Sequence, residues 1–366
     1  MWKKPLLCSF EATLSPDLVF PDDGLCDISF FQVREENYTL LRGDSDAAFG
    51  AFLAAAAKQN VTEHGVSLDC DKYVNTSEAL KEPAGRKTIK ELWEKKIYHW
   101  ASMNTFVLNP PELIMGLFNI MKDIKKIIEE DIKPNRSHYV VYTGTLRQPV
   151  RIEAETKWLQ TIMWMDGVVA LAHTVEDDRS WSAGRMMPPT FWLDLQLSHV
   201  YKTNMRSAHH GIGNFSKRDI NGTALYVSLS LAARNYVPDE KYAFRAEMLE
   251  EHDPIFVGVM DYCEDKEFHF GFQDKDPVGA FYVSRTKERF ITFDDSRSLA
   301  MKFCRGKKDL TDVRYGLVAF NTELDDPKNE CGKGSYPRLK LLRKLVDFFY
   351  NNFTSPSAYE KCVKLT

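Results

Sequence analysis

The chain has 366 residues, 44% of them apolar and 27% charged, and a net charge of −4. This leaves room for one large α/β domain or two medium ones and excludes a disordered chain. No basic cluster interleaved with aromatics points to nucleic acid, and no apolar run is long enough to cross a bilayer.

Short apolar runs alternate with helical stretches, the pattern of a βα repeat with a parallel sheet. Strands are predicted at 6–10 and 27–31, a small-residue helix at 47–57, and a third strand at 65–69. A helix at 88–95 leads into a strand at 97–102. Pro110 and Pro111 open a long helix reaching Ile132, with Leu113, Leu117, Ile120, Ile124, Ile127 and Ile128 as its apolar stripe. A strand at 139–144, a helix at 153–165 and a strand at 167–173 follow. Residues 174–223 read as a long, turn-rich connection, with His209 and His210 in a Gly-rich loop. Clean alternation gives a strand at 224–230, and the last lies at 316–320. Eight such strands are the number that closes a (β/α)8 TIM barrel.

Seven cysteines are present, and an oxidising compartment would pair six of them. They include no C-x-x-C pair, and the histidines show no H-E-x-x-H spacing. No G-x-S-x-G elbow or phosphate-binding loop occurs either, so neither a metal nor a cofactor is expected. Glycosylation sequons stand at Asn37, Asn60, Asn75, Asn135, Asn214, Asn221 and Asn352. Ordinary composition would give about two by chance. Cysteines and sequons together point to a secreted, extracellular glycoprotein. Met1-Trp2-Lys3-Lys4 is followed by no hydrophobic signal region, so a mature or trimmed form is expected.

The stretch Phe290-Ile291-Thr292-Phe293-Asp294-Asp295-Ser296-Arg297-Ser298 sets aromatics three apart, then two acids, then serines opening an apolar helix. Further on, Gly316-Leu317-Val318-Ala319-Phe320 runs into Asn321-Thr322-Glu323-Leu324-Asp325-Asp326, with Cys331 beyond. This order resembles the end of glycoside hydrolase family 18, the chitinases and chitinase-like proteins. The resemblance implies a small α+β domain inserted between strands seven and eight. That domain would span 231–294, leaving 1–230 and 295–366 to the barrel. Apolar runs at 255–260, 267–272 and 279–283 look like its short antiparallel strands. The resemblance further implies disulfides Cys8–Cys26 and Cys263–Cys331. Of the rest, Cys304 and Cys362 are the expected pair with Cys70 left over, and that assignment stays open.

In the resembled family a Glu at the end of strand four protonates the glycosidic oxygen. Neighbouring Asp residues position the substrate's N-acetyl group, an exception to the two-carboxylate scheme. The motif is Asp-Gly-x-Asp-x-Asp-x-Glu. Laid on it, strand four places Tyr98, Trp100 and Ser102 at the three later acid positions, and a one-residue slip gives His99, Ala101 and Met103. Neither register holds a carboxylate, and Tyr, Trp and Ser cannot serve as general acids near neutral pH. A competing placement runs from His64 to Asp71, with Asp69 and Asp71 at the last two acid positions, but it leaves no room for a third strand and its helix. Family strand six ends Met-x-Tyr-[Asp/Asn]; here it reads Leu171-Ala172-His173-Thr174, with His173 taken as structural. Phe320 replaces the Trp that floors the family's sugar site.

The resemblance therefore implies a degenerate, catalytically inactive member of the secreted arthropod and tick type. Its ligand would be an N-acetylglucosamine oligosaccharide held by Tyr98, Trp100, Tyr142, Trp181 and Phe320. Two alternatives stay open. One is an effector that binds a host or extracellular protein through barrel loops or the insertion. The other is weak residual glycosidase activity through Asp69 and Asp71.

Overall fold

The computed structural model describes residues 4–11, 17–33, 40–43, 46–69, 73–104, 111–144, 164–175, 185–192, 203–217, 222–249 and 255–366. The barrel strands are β1 (Leu6–Glu11), β2 (Ile28–Gln32), β3 (Glu63–Asp69), β4 (Ile97–Asn104), β5 (Val140–Gly144), β6 (Gly167–Ala170), β7 (Ala224–Ser230) and β13 (Gly316–Phe320). They close in the order β1-β13-β7-β6-β5-β4-β3-β2. Consecutive strands are neighbours, and among the described residues helices lie in most of the connections between them, the arrangement of a (β/α)8 TIM barrel. The segment 97–104 is thus the fourth strand and 63–69 the third.

Residues compact into two units, one built from the described residues of 1–169 and 222–224, the other from those of 170–217 and 225–366. In the first unit, helices α1 (Ala47–Lys58), α2 (Tyr73–Lys81), α3 (Pro83–Glu94) and α4 (Pro111–Ile127) lie between the strands. Asp46 starts α1 by accepting the Phe49 N–H (2.7 Å), a side-chain cap for a run of small residues. The predicted helix at 88–95 begins earlier, because Pro83 occupies the first turn, where its missing N–H costs nothing. The long helix predicted to Ile132 is α-helical only to Ile127. It widens into a π turn over Ile128–Ile132 and stops at Lys133, whose φ of 52° is left-handed.

Register decides which side chains enter the barrel. Phe31 of β2 packs on Phe49 and Phe52 of α1, with ring centroids 5.1 and 5.5 Å apart, so it faces the helices. Its partners across the ladder are Val66, then Trp100, then Val140. These share its outward face, as does Tyr142 two residues along from Val140. Phe30, Gly65, His99 and Ala101 take the inward face. Gly65 is required there. A Cβ would lie 2.7 Å from Phe30 Cε1 and 2.8 Å from His99 Cβ.

The second unit holds β7 and β13 and a separate antiparallel sheet. Its strands are β8 (Ala233–Tyr236), β9 (Ile255–Val257), β10 (His269–Gln273), β11 (Gly279–Ser284) and β12 (Arg289–Phe293), ordered β10-β11-β12-β8-β9. One face packs on segment 185–192, where the Tyr236 hydroxyl and Thr292 Oγ1 both donate to the Met187 carbonyl (2.9 and 2.8 Å). Helices α5 (Met205–Ser216), α6 (Ser296–Asp309), α7 (Pro337–Asn351) and the short α8 (Tyr359–Cys362) complete the unit. The sequence reading of 205–216 as loop is corrected here. Asn204 caps the helix on the Ser207 N–H (2.9 Å), and Met205, Ala208, Ile212 and Phe215 bury one stripe.

Disulfides join Cys8 to Cys26, Cys263 to Cys331 and Cys304 to Cys362. Cys70 lies outside the described residues. Among the described residues, no helix is long and apolar enough to cross a membrane.

Candidate functional site

Sites on this fold sit at the carboxyl ends of the strands. In the first unit the inward positions along β4 carry His99, Ala101 and, toward the end, Met103, whose N–H donates to Ser67 Oγ of β3 (2.8 Å). None of the three is a carboxylic acid. His99 lies nearer the start of the strand and is fully buried. Its Nδ1 accepts the Tyr139 N–H (3.1 Å), so its Nε2–H donates to Glu63 (3.1 Å). Lys4 completes the cluster at 3.1 Å from the same carboxylate. Burial pushes the Glu63 carboxyl up, but the His99 hydrogen bond and the Lys4 ammonium outweigh it and hold the group at about 2. Burial likewise pulls the His99 imidazole down, consistent with a neutral ring.

In the second unit the strand ends gather around His173. Its Nδ1 lies 2.7 Å from Ser228 Oγ, and that oxygen also accepts the Ala172 N–H (2.8 Å). This side chain takes the backbone donor that a sheet ladder would use, which ends β6 at Ala170 rather than at 173 as predicted. The His173 ring is 4.5 Å from that of Phe320, which terminates β13. Burial alone holds the imidazole at about 3, so it is neutral at ordinary pH. Ser230, two residues past Ser228 on the same face, donates to Asn321 Oδ1 (2.7 Å).

Thr190 ties these ends to the acids of the sequence motif. Its N–H donates to Asp294 (3.2 Å), its hydroxyl accepts the Ser230 N–H (3.2 Å), and its carbonyl receives the Lys302 ammonium. Lys302 also pairs with Asp294, and Ser298 donates to the same carboxylate (2.9 Å). Burial pushes Asp294 up and Lys302 down. Asp325 accepts Arg338 Nε (2.6 Å) and the Leu339 N–H (2.7 Å) at the start of α7. Asp326 accepts the Glu330 and Cys331 amides (2.7 and 3.0 Å). These acids are structural. Asp294 holds a buried lysine, Asp325 the start of α7 and Asp326 a loop.

The sequence-derived ligand candidates are dispersed. Trp100 is buried on the helix face of β4, and among the described residues its indole N–H has no hydrogen-bond partner. Tyr142 packs edge-on against Phe118 of α4, with centroids 4.9 Å apart, so its ring belongs to the core and not to a groove. Tyr98 is half-buried between Trp93 (4.9 Å) and the Arg136 guanidinium (4.2 Å). Phe320 alone of the described candidates stands among polar groups at strand ends. Trp181 lies outside the described residues, as does Asp71. Sequence reasoning missed Ser228, Ser230 and Thr190. The first two carried a signal, being polar residues that alternate with Val227 and Leu229 on a clear strand. Among the described residues no group of His, Cys, Asp and Glu is placed to hold a metal.

No family model matches the chain, and no curated protein sequence does. Solved structures do. The group IV chitinase of Ostrinia furnacalis superposes with a TM-score of 0.65, covering 94% of this chain and 100% of its own, at 12% sequence identity. The fold is that of the family 18 chitinases. Human YKL-39, described as a pseudo-chitinase with retained chitooligosaccharide binding properties, gives a TM-score of 0.63 at 12% identity, covering 93% of this chain and 99% of its own. A GH18 chitinase from Cycas revoluta, in complex with (GlcNAc)3, gives 0.62 at 11% identity, covering 94% and 99%. Active enzymes and a pseudo-enzyme thus share this architecture.

Proposed function

We propose that this chain is a secreted chitinase-like protein that binds an N-acetylglucosamine oligosaccharide without cleaving it. The reading rests on one observation. The inward positions of the fourth strand hold His99, Ala101 and Met103, so the groups that would protonate the leaving oxygen and steer the N-acetyl group are absent from that strand. Met103 cannot donate a proton, and both nitrogens of His99 are engaged within the protein. Phe320, 4% exposed but set at the strand ends beside His173, is the described candidate best placed to stack on a sugar. The three disulfides and the sequons at exposed Asn60, Asn75, Asn135 and Asn352 support an oxidising, secretory origin.

Two other readings are separable. Trp100 and Tyr142 point to the helix side of the barrel, outside any groove, which favours an effector that binds protein. Residual hydrolysis through Asp69 and Asp71 would have to run from the end of the third strand rather than the fourth. Titration calorimetry with chitin oligosaccharides, alongside a chromogenic chitobioside assay, tests all three. The proposal expects saturable heat that is lost in Phe320→Ala, and no turnover. Turnover abolished by Asp71→Asn would establish the glycosidase instead, and absence of any heat would leave the effector.

A further inference from the structure

The antiparallel sheet of the second unit ends on β10, and among the described residues no strand flanks its outer side. An edge strand presents a row of unpaired N–H and C=O groups, which proteins usually blunt with lysine, proline or a bulge. β10 reads His269-Phe270-Gly271-Phe272-Gln273 and carries none of these. It pairs with β11 without a break, from His269 opposite Val283 to Gln273 opposite Gly279. Phe270 is 54% exposed. Phe272 is half-buried, with the Arg297 guanidinium 4.1 Å above its ring. Gly271 between them has no room for a side chain, since a Cβ would lie 2.3 Å from the Phe281 ring.

The strand is self-complementary about Gly271. Laid antiparallel on a copy of itself, it sets glycine opposite glycine, Phe270 opposite Phe272 and His269 opposite Gln273. The flanks match as well. The turn at Lys266 and Glu267 comes beside the bend at Lys275 and Asp276 of the other copy, cation facing anion on both sides. Lys266 and Lys275 are exposed, and among the described residues neither makes an ion pair. Glu267 and Asp276 hold only exposed partners, Lys287 (3.2 Å) and Arg305 (3.1 Å). We infer that β10 is where a second copy of this chain docks, joining two five-stranded sheets edge to edge across a two-fold axis. Symmetry doubles every cross-strand aromatic pair and every flank pair, so an edge of this composition favours its own copy over an unrelated strand.

Sedimentation velocity of the full chain over a concentration series tests this. Edge pairing falls at the low end of specific interfaces, so monomer–dimer exchange is expected on the order of micromolar. Phe270→Lys, at an exposed position, should keep the melting temperature and weaken association by about tenfold or more. Lys275→Glu should weaken it by opposing Glu267 of the other copy, and Glu267→Lys combined with Lys275→Glu should restore it. A chain that sediments as a monomer throughout overturns the inference, as does a dimer indifferent to both single substitutions.

Discussion

At His99 the protein itself occupies both ring nitrogens, one on the Tyr139 amide and one on Glu63. A histidine so held can neither shuttle a proton nor read a ligand. It helps instead to keep a carboxylate ionised inside the barrel. The consequence is measurable. Glu63 titrates near 4.5 when unfolded and at about 2 when folded, so its contribution is complete above pH 4.5 and is lost as pH falls toward 2. Denaturant titrations of the parent chain and Glu63→Gln should differ most above pH 4.5 and converge near pH 2. A gap that does not change with pH would show that the carboxylate is not ionised by this cluster.

Among the elements, β4 shows where sequence reasoning stops. Its existence and order were legible, because short apolar runs recurring between helical stretches mark the barrel strands. Its facing was not. Tyr98, His99 and Trp100 put large rings on both parities, so alternation could not choose a side. The choice is made through neighbouring strands, from Phe31 to Val66 to Trp100, by contacts with α1 far away in sequence. Helix α5 was missed for a different reason. Gly211 and Gly213 read as turn residues, whereas Gly213 sits inside the helix and lets the Leu310 side chain pack close, a Cβ there meeting its Cδ2 methyl at 2.9 Å. The helical layer of the second unit is also tied covalently. Cys304 of α6 is bonded to Cys362 of α8, 58 residues on. Replacing both with serine should cost about 2–5 kcal/mol in a chemical denaturation series. A smaller loss would mean that packing alone holds α8.

Across the whole molecule, the buried histidines set an acid limit. Burial brings His64 down to about 4, His173 to about 3 and His209 to about 4, each from 6.5. Each is therefore neutral in the folded chain yet takes up a proton on unfolding once pH drops below 6.5. Stability should be full above that value and decline as pH falls toward 4, by about 1.4 kcal/mol per pH unit for each fully titrating histidine. Melting temperatures across that range check it, and a flat profile would refute the buried neutral state. The site was less legible than the fold, because its polar groups converge from strands and segments that no local pattern links. Thr190 is the clearest case, an ordinary residue in sequence that binds Ser230, Asp294 and Lys302 in space.

The aspartates at 294, 325 and 326 are spent on a buried lysine, a helix start and a turn. Each of these tasks belongs to the fold, so a barrel of this kind calls for the three whether or not it cuts a sugar. A genome search keyed to them would gather proteins by skeleton, and would say nothing about which of the catch can digest chitin.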